Sequence, residues 1–359
     1  MKKLRLGIIG CGGFSNNHLD EWKKINQVEI VAICGHKNQK RLKDVSDKYK
    51  IQKGYFDFEE MFKKEKLDLI DIISPSESHK SVIFSAVNNG IKNILCEKPL
   101  SDNMEDAKEI VNVCENNNIR LTVFQNFRHH SWYLKMKELI EEKKINNIFY
   151  VSIYHRTALL NSFDLFGGTG IFQKNSRSIL NLDKLIIIEL ALHFYDILRF
   201  LFGEPKSIFC KARKVIKDSK GENVSISMIE FDNLDALVEV SWCSIGEDLS
   251  QMVRIEGTDG TILLDDEGDD AKLNIFLPQN TKIKIRPGMN HPKTIPTLIN
   301  IDTKNYLSKS IYKLEKIFVD SIIKKSIAMP TGRDNLKTME MVFAAYKSSD
   351  ENKVIKFNN

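Results

Sequence analysis

The chain has no apolar run that approaches the roughly 18 residues needed to cross a bilayer. Its six cysteines form no Cys-x-x-Cys pair and show no regular spacing, so they indicate neither a zinc site nor a disulfide framework. Basic arms and basic-aromatic clusters are also missing, and the net charge of +5 comes from 53 basic and 48 acidic residues spread along the chain. These absences argue against membrane and nucleic-acid partners, and they favour a reducing, cytoplasmic location.

Length and composition indicate a globular protein with two domains. The 359 residues exceed what one ordinary core holds, and 42% of them are hydrophobic and 28% charged. Short β-rich runs alternate with helical patterns up to about residue 125, whereas longer strands with fewer helices follow. We therefore predict a dinucleotide-binding domain over residues 1–125 and a second α/β domain over residues 126–359.

The first domain is predicted to be a doubly wound parallel sheet of the Rossmann type. Its apolar runs are separated by helical stretches, an order that places successive strands parallel to one another. The second domain is predicted to hold a largely antiparallel open sheet. The predicted strands are 4–9, 29–34, 69–74, 93–96 and 120–124 in the first domain, and 147–155, 207–215, 225–231, 235–241, 252–256 and 261–265 in the second.

A glycine-rich turn follows the first predicted strand. Gly10 permits a tight turn, Gly12 lets the backbone approach a pyrophosphate, and the next helix presents free N–H groups to that anion. The sixth position of the Gly-x-Gly-x-x-Gly pattern is Ser15, which is small enough for close helix packing. The turn, including Gly13 and Phe14, therefore predicts a nucleotide site, against the alternative of a plain turn.

The second predicted strand lacks the acidic residue that usually binds the adenosine ribose. It ends in Cys34 and runs into Gly35, His36 and Lys37. Without a carboxylate there is no repulsion against a 2′-phosphate, and His36 or Lys37 could pair with one. The pattern thus favours NADP over NAD, whereas the simpler alternative is that Lys37 is a solvated loop lysine.

Glu97, Lys98 and Pro99 stand directly after a short apolar strand. Ligands of open α/β sheets bind beyond the carboxyl ends of the strands, so Lys98 is predicted to lie beside a cofactor or substrate. The alternative is an exposed Glu-Lys pair in an ordinary loop.

A second group of polar residues interrupts a nearly continuous apolar stretch from Ile186 to Gly203. Glu189, His193, Asp196 and Arg199 recur at helical spacing, which places them along one side of a buried helix. Burial beside a carboxylate tunes a histidine for proton transfer near neutral pH. The alternative is a structural histidine; the spacing of Glu189 and His193 could also suggest a metal, but no third ligand stands out nearby.

In this order the motifs resemble the family of glucose-fructose oxidoreductase, inositol dehydrogenase and MocA (Gfo/Idh/MocA). The resemblance also rests on Ser74-Pro75 with His79, on residues 253–261 and on residues 332–338, and so extends over essentially the whole chain. It implies a Rossmann domain, a C-terminal α/β domain whose open sheet supports a homo-oligomer (a dimer or tetramer), and a nicotinamide cofactor between them. The cofactor-binding residues it adds to the glycine turn are Ser74, Pro75, His79, Glu97, Lys98 and Asn126.

The resemblance also implies that Lys98 and His193 are the catalytic pair, with Glu189 where many members have Asp. The predicted activity is NAD(P)-dependent oxidation of a secondary alcohol on a sugar, sugar derivative or cyclic polyol, without a metal. Two alternatives are an NAD-dependent glycoside hydrolase of the same fold and a ligand-sensing regulator without turnover.

Overall fold

The structure, a computed structural model, describes most of the chain: residues 2–35, 38–157, 180–217, 219–244, 251–265, 268–286 and 289–357. The chain divides into two compact units. The first unit contains Met1–His129 and Leu307–Glu340, and the second contains His130–Tyr306 and Met341–Asn359. A segment near the C-terminus thus belongs to the first unit, while the division into domains at residue 125 stays a prediction.

The first unit is built on a six-stranded parallel sheet with strand order β3-β2-β1-β4-β5-β6. The order reverses between β1 and β4, which is the point where doubly wound sheets bind ligands. The predicted Rossmann-type sheet is confirmed. Its strands are β1 (Leu4–Ile9), β2 (Val28–Cys34), β3 (Lys53–Tyr55), β4 (Leu69–Ile72), β5 (Asn93–Cys96) and β6 (Arg120–Val123).

Helices cover both faces of this sheet, which explains why its strands are apolar on both sides. Leu6 and Ile8 of β1 face one core cluster, and Ile9 faces the other. The helices of the described chain are α1 (Ser15–Trp22), α2 (Gln39–Tyr49), α3 (Phe58–Lys64), α4 (His79–Asn88), α5 (Met104–Asn116), α6 (Ser131–Glu141), α7 (Leu192–Phe202), α8 (Tyr306–Lys324) and α9 (Gly332–Glu351). Among the residues described, none of these helices has the length and apolar content to cross a membrane.

The second unit is built on a nine-stranded sheet in the order β14-β13-β12-β11-β7-β10-β9-β8-β15. Every pair in it is antiparallel except β7 with β10, so the predicted largely antiparallel sheet is confirmed. Its strands are β7 (Ile148–Arg156), β8 (Ser207–Arg213), β9 (Val224–Glu230), β10 (Asp235–Ser241), β11 (Gln251–Gly257), β12 (Gly260–Asp265), β13 (Lys272–Arg286), β14 (Met289–Ile299) and β15 (Ile355–Lys356).

The apolar stretch from Ile186 to Gly203 forms a helix with an irregular start. Ile187–Ala191 make a π-helical turn, and α7 continues from it to Phe202. Every residue of α7 up to Arg199 is buried. The Tyr195 hydroxyl lies 2.6 Å from the Ser227 hydroxyl on β9, so this helix packs on one face of the nine-stranded sheet.

Candidate functional site

The glycine turn between β1 and α1 contains two glycines in different surroundings. Gly10 has a φ of +113°, and a Cβ there would lie 2.8 Å from the backbone of Ile73 and Ser74. A Cβ on Gly12, in contrast, would meet nothing within 4 Å. Gly10 is therefore needed for the turn itself, whereas Gly12 leaves its outer side open.

The turn lies beside the loop that follows β4. Ser74 and Pro75 begin this loop, and the Ser74 hydroxyl lies 2.6 Å from that of Ser78. Because β1 and β4 are the neighbours at which the strand order reverses, the two loops flank the expected ligand position. The structure thus brings Ser74 and Pro75 to the glycine turn, while Ser15 is fully buried and bonds the Gly12 carbonyl at 2.7 Å.

Arg41 is a cation at this turn that sequence reasoning did not single out. It lies in the first turn of α2, and its guanidinium donates to the Cys11 carbonyl. A Cβ on Gly13 would lie 4.0 Å from its Nη2 atom. The predicted contacts His36 and Lys37 lie outside the described residues.

Lys98 follows β5 at the carboxyl end of the sheet, as the sequence predicts. The Lys98–Pro99 peptide bond is cis. The Lys98 side chain is half-buried, and its backbone N–H donates to the Glu97 carboxylate at 3.0 Å. Glu97 itself is buried, so it points inward and is not part of an exposed Glu-Lys pair.

The inward-pointing Glu97 meets a buried histidine on α1. His18 Nε2 lies 3.0 Å from Glu97, and Nδ1 lies 2.9 Å from Asp71 on β4. Trp22 Nε1 donates to the same Asp71 oxygen at 2.7 Å, and Glu315 on α8 lies 3.5 Å from His18 Nδ1. One ligand atom each of His18, Asp71 and Glu315 lies within 4.8 Å of the others. We call these four titratable residues, His18, Asp71, Glu97 and Glu315, the His18 cluster.

Two other predicted cofactor residues are buried and bonded within the first unit. His79 has one ring nitrogen 2.9 Å from the Ser74 carbonyl and the other 3.2 Å from that of Leu100. Burial lowers the pKa of His79, while the two carbonyl groups beside its ring nitrogens act in the opposite direction. It connects the loops after β4 and β5. Asn126 follows β6 and donates to the Ser310 hydroxyl at 3.1 Å.

Glu189 and His193 lie in the second unit, at the start of the buried helix. Glu189 belongs to the π-helical turn and is half-buried among buried neighbours, and His193 is in the first turn of α7. The π-helical turn means that the two residues are not separated by one regular α-helical turn, as the spacing alone suggested. Further along, Arg199 makes two bonds to Glu204, of 2.9 and 2.8 Å, and this pairing is structural.

A carboxylate and a tyrosine hold the N-terminal end of this helix. Glu222 accepts the Leu185 and Ile187 N–H groups at 3.1 Å each and the Tyr346 hydroxyl at 2.7 Å. Tyr346 in turn accepts the Ile188 N–H at 3.3 Å. Free N–H groups at a helix start need such acceptors, and a negative charge there is stabilised by the helix dipole.

Sequence reasoning missed Arg41, the three partners of Glu97 in the His18 cluster, and the Glu222–Tyr346 pair. The signals in the sequence were faint: a histidine in the helix after the glycine turn and an aspartate inside an apolar strand. Glu222 and Tyr346 are 124 positions apart, and no pattern in the sequence relates them.

Comparisons with known proteins agree with this architecture. The model of an oxidoreductase family with an NAD-binding Rossmann fold matches residues 4–125, and that of the C-terminal α/β domain of the same family matches residues 182–357. D-apiose dehydrogenase of Rhizobium rhizogenes is 28% identical over 99% of this chain and 98% of its own length. The scyllo-inositol 2-dehydrogenase (NADP(+)) of Bacillus subtilis is 22% identical over 82% of this chain and 83% of its own.

A solved structure has the same fold over nearly the whole chain. An oxidoreductase from Agrobacterium radiobacter, in complex with NAD+, L-tartaric acid and magnesium, superposes with a TM-score of 0.83 at 26% identity, covering 99% of this chain and 98% of its own. The family match covers both the glycine turn and Lys98 in the first domain and Glu189 and His193 in the second. The chain belongs to the Gfo/Idh/MocA family of oxidoreductases.

Proposed function

We propose that this protein is an NAD(P)-dependent dehydrogenase that oxidises a secondary alcohol of a sugar, sugar derivative or cyclic polyol. The observation that carries the proposal is the arrangement at the switch point of the sheet, where an open glycine turn and Lys98 both stand at carboxyl ends of parallel strands. Family membership supports hydride-transfer chemistry, and relatives named as apiose and inositol dehydrogenases support the substrate class.

The residues present fit a dinucleotide. The open side of Gly12 gives a pyrophosphate room to approach, and α1 directs its N-terminal end to the same place. Further cofactor contacts are proposed for Gly10, Gly13, Phe14, Ser15, Ser74, Pro75, His79, Glu97, Lys98 and Asn126. When bound, the nicotinamide supplies the hydride acceptor, and the chain's own residues supply binding, orientation and proton transfer.

His193 is proposed as the base that accepts the proton of the substrate hydroxyl. Lys98 donates a hydrogen bond to the same substrate oxygen and stabilises the negative charge that develops there. Glu189 is proposed to bind a neighbouring hydroxyl or to orient the imidazole. Its side chain is one methylene longer than the Asp found in many family members, which changes the position of the carboxylate relative to the substrate.

A preference for NADP is proposed from the residues after β2. Asn38 caps α2 by accepting the Arg41 N–H at 2.9 Å, and no acidic residue stands between Cys34 and Asn38. Arg41, in the first turn of α2, brings positive charge to this end of the sheet. Replacing Gly35 with Asp would add a carboxylate near the ribose position, but it would also disturb the packing, because a Cβ there would lie 2.4 Å from Cys11 Sγ. Its effect on cofactor preference could not be separated from that disturbance. The direct test is the ratio of kcat/KM with NADP and NAD in the unchanged protein.

The experiment that tests the function is a screen of aldoses, inositols, sugar acids and nucleotide sugars with each cofactor. We expect continuous formation of NADH or NADPH with at least one free sugar or polyol. Hydrolysis of a glycoside without net reduction of the cofactor would indicate the glycosidase alternative. Cofactor and ligand binding without turnover of any substrate would indicate a regulator.

A homo-oligomer in the cytoplasm is proposed on two further observations. All six cysteines are free, as suits a reducing compartment. The sheet face opposite α7 exposes Met228 and Leu298, which are 61% and 66% accessible. Exposed apolar side chains on a broad sheet suit contact with a second copy of the chain.

A further inference from the structure

The His18 cluster is built so that its histidine carries a positive charge. The ring is fully buried, and each nitrogen lies at hydrogen-bond distance from a carboxylate, Asp71 on one side and Glu97 on the other. Ionised carboxylates only accept hydrogen bonds, so both nitrogens must donate. Burial by itself lowers the pKa of His18, but the charge of Asp71 and the hydrogen bonds to Asp71 and Glu97 raise it well above its ordinary value.

Glu315 is the member of the cluster whose surroundings favour a bound proton. Its side chain is fully buried, and burial raises its pKa well above the ordinary value. As a carboxylate it would leave both of its oxygens without a hydrogen-bond partner in the described chain, and Asp71 Oδ1 also lacks one. A single proton on Glu315 removes its buried charge and turns one of its oxygens into a donor, and Asp71, within 4.8 Å, has an oxygen without a hydrogen-bond partner in the described chain.

Glu97 connects the cluster to the loop after β5, which carries Lys98. One Glu97 oxygen accepts from His18, and the other accepts the backbone N–H of Lys98 at 3.0 Å. We propose that His18, as an imidazolium paired with Asp71 and Glu97, is a positioning residue that fixes the backbone at Lys98, while neutral Glu315 completes the cluster. The inference rests on the proposed catalytic role of Lys98.

Among the described residues, Glu21 and Lys24 also act on the cluster, through their charges near Glu315. Glu21 on α1 is buried and binds Lys24 and Ser308, so its charge is compensated by other partners. Phe14 and Phe124 contact the imidazole with ring centroids 5.4 and 4.3 Å away. The same oxygen and nitrogen atoms could instead hold a divalent cation, which would require an ionised Glu315 and an unprotonated His18 nitrogen. The two arrangements differ in proton count, and this difference can be measured.

The first experiment observes the protonation of histidine directly. Long-range proton–nitrogen spectra of the whole protein, with nitrogen-15 in its eight histidines, are recorded at about pH 8.5, well above the ordinary histidine pKa of about 6.5. We expect one ring that remains doubly protonated, and the loss of its signals in His18→Gln. Eight neutral rings at this pH, or a stoichiometric divalent metal by elemental analysis of the purified protein, would overturn the inference.

The second experiment separates positioning from folding. His18→Gln should lower kcat by roughly ten- to a hundredfold, as expected when a catalytic group is misplaced, while the Kd for the cofactor changes little. Trp22→Phe is the matched control, because it removes a donor to Asp71 but leaves the bond from His18 to Glu97 intact. Its effect on kcat should be less than about threefold. Normal kcat in His18→Gln would overturn the inference.

The two experiments distinguish this inference from the proposed function. A screen that finds no substrate contradicts the function, yet the spectra still decide whether His18 is charged. An active dehydrogenase whose His18 is neutral contradicts the inference alone.

Discussion

At the scale of single residues, the decisive pair is Lys98 and His193. If Lys98 stabilises charge on the substrate oxygen and His193 removes its proton, Lys98→Met and His193→Asn should each lower kcat sharply. Loss of a general base typically costs about a hundredfold to ten-thousandfold. Steady-state kinetics with the substrate found in the screen, together with the thermal midpoint of each variant, measure both effects.

The control for Lys98→Met is Lys92→Met. Lys92 is exposed just before the start of β5, at the opposite end of the strand from Lys98, so its loss should leave kcat unchanged. If His193 is only a packed core histidine, His193→Asn should lower the thermal midpoint and leave the turnover of the folded protein nearly normal. That result would refute its role as a base.

Glu315 gives a prediction about stability and pH. Its pKa is raised in the folded protein, so the folded state binds its proton more tightly than the unfolded state does. Stability from this proton is complete below about pH 4.5, the unfolded value, and is lost as the pH rises toward the folded pKa. The pKa of His18 is also raised, so the stability that its proton contributes is complete below about pH 6.5 and is lost as the pH rises toward the folded pKa.

Glu315→Gln keeps a neutral donor but cannot ionise. The free energy of unfolding, measured by urea titration from about pH 5 to about pH 9, should therefore fall less steeply with pH in Glu315→Gln than in the wild type. Equal slopes would mean that Glu315 is ionised in the folded protein.

At the scale of elements, the glycine turn predicts opposite results for two substitutions. A side chain at Gly12 meets nothing within 4 Å, so Gly12→Val should fold normally but occupy the space of the pyrophosphate. Its Kd for NAD and NADP should rise by about tenfold or more, on the order of 1.4 kcal/mol. Isothermal titration with both cofactors measures this, and unchanged constants would contradict the assignment.

Gly10→Val is the contrasting variant in the same turn. Its Cβ would lie 2.8 Å from the backbone after β4, and the φ of +113° is strained for any other residue. We expect a lower thermal midpoint in this variant, whereas the midpoint of Gly12→Val should stay near that of the wild type.

The hydroxyl of Tyr346 tests how the helix that carries Glu189 begins. Tyr346→Phe removes the acceptor of the Ile188 N–H and a donor to Glu222, and leaves the buried Ile188 N–H unpaired. The free energy of unfolding should fall by about 1–3 kcal/mol, the cost of an unsatisfied buried group. Urea unfolding measures this change. An unchanged free energy of unfolding would show that another acceptor replaces the Tyr346 hydroxyl.

The elements that could be predicted are those with a strong local pattern. β5 and β10 begin and end at the predicted residues, because their apolar runs are bounded by polar residues. β3 has only three residues, Lys53–Tyr55, which is too short for a pattern, and β13 carries several lysines along its length. Long-range contacts limit prediction more strongly. The sequence indicates that Lys98 stands at a strand end, but it does not indicate that His18 bonds the neighbouring Glu97.

At the scale of the whole molecule, the nine-stranded sheet has two different faces. On one face, a cross-strand row of Ile229, Ala236, Val151 and Ile255 is buried. The opposite face is partly apolar; Met228 and Leu298 on it are accessible, whereas Ser152 near its middle is buried. One cross-strand row on it contains Phe209, Met228, Leu237, Ser152, Arg254, Leu263, Asn274 and Leu298.

This accessible face leads to a prediction about assembly. Stable interfaces bury about 1,200 Å² or more in total, which the area of a broad sheet can supply and a single exposed side chain cannot. We expect the wild type to be a dimer or larger in light scattering coupled to size exclusion. Met228→Glu places a charge at an exposed apolar position of the row and should raise the dissociation constant of the assembly by about tenfold or more.

The control is a charge change at the margin of the same face. Lys211 is exposed on β8 and neighbours Ile226 in register, so Lys211→Glu changes the charge at a position that already carries one instead of replacing an apolar side chain. The dissociation constant of the Lys211→Glu assembly should be close to that of the wild type. A monomeric wild type at tens of micromolar, or an assembly that Met228→Glu leaves intact, would contradict the proposed contact, because burying an unpaired carboxylate in a contact is costly.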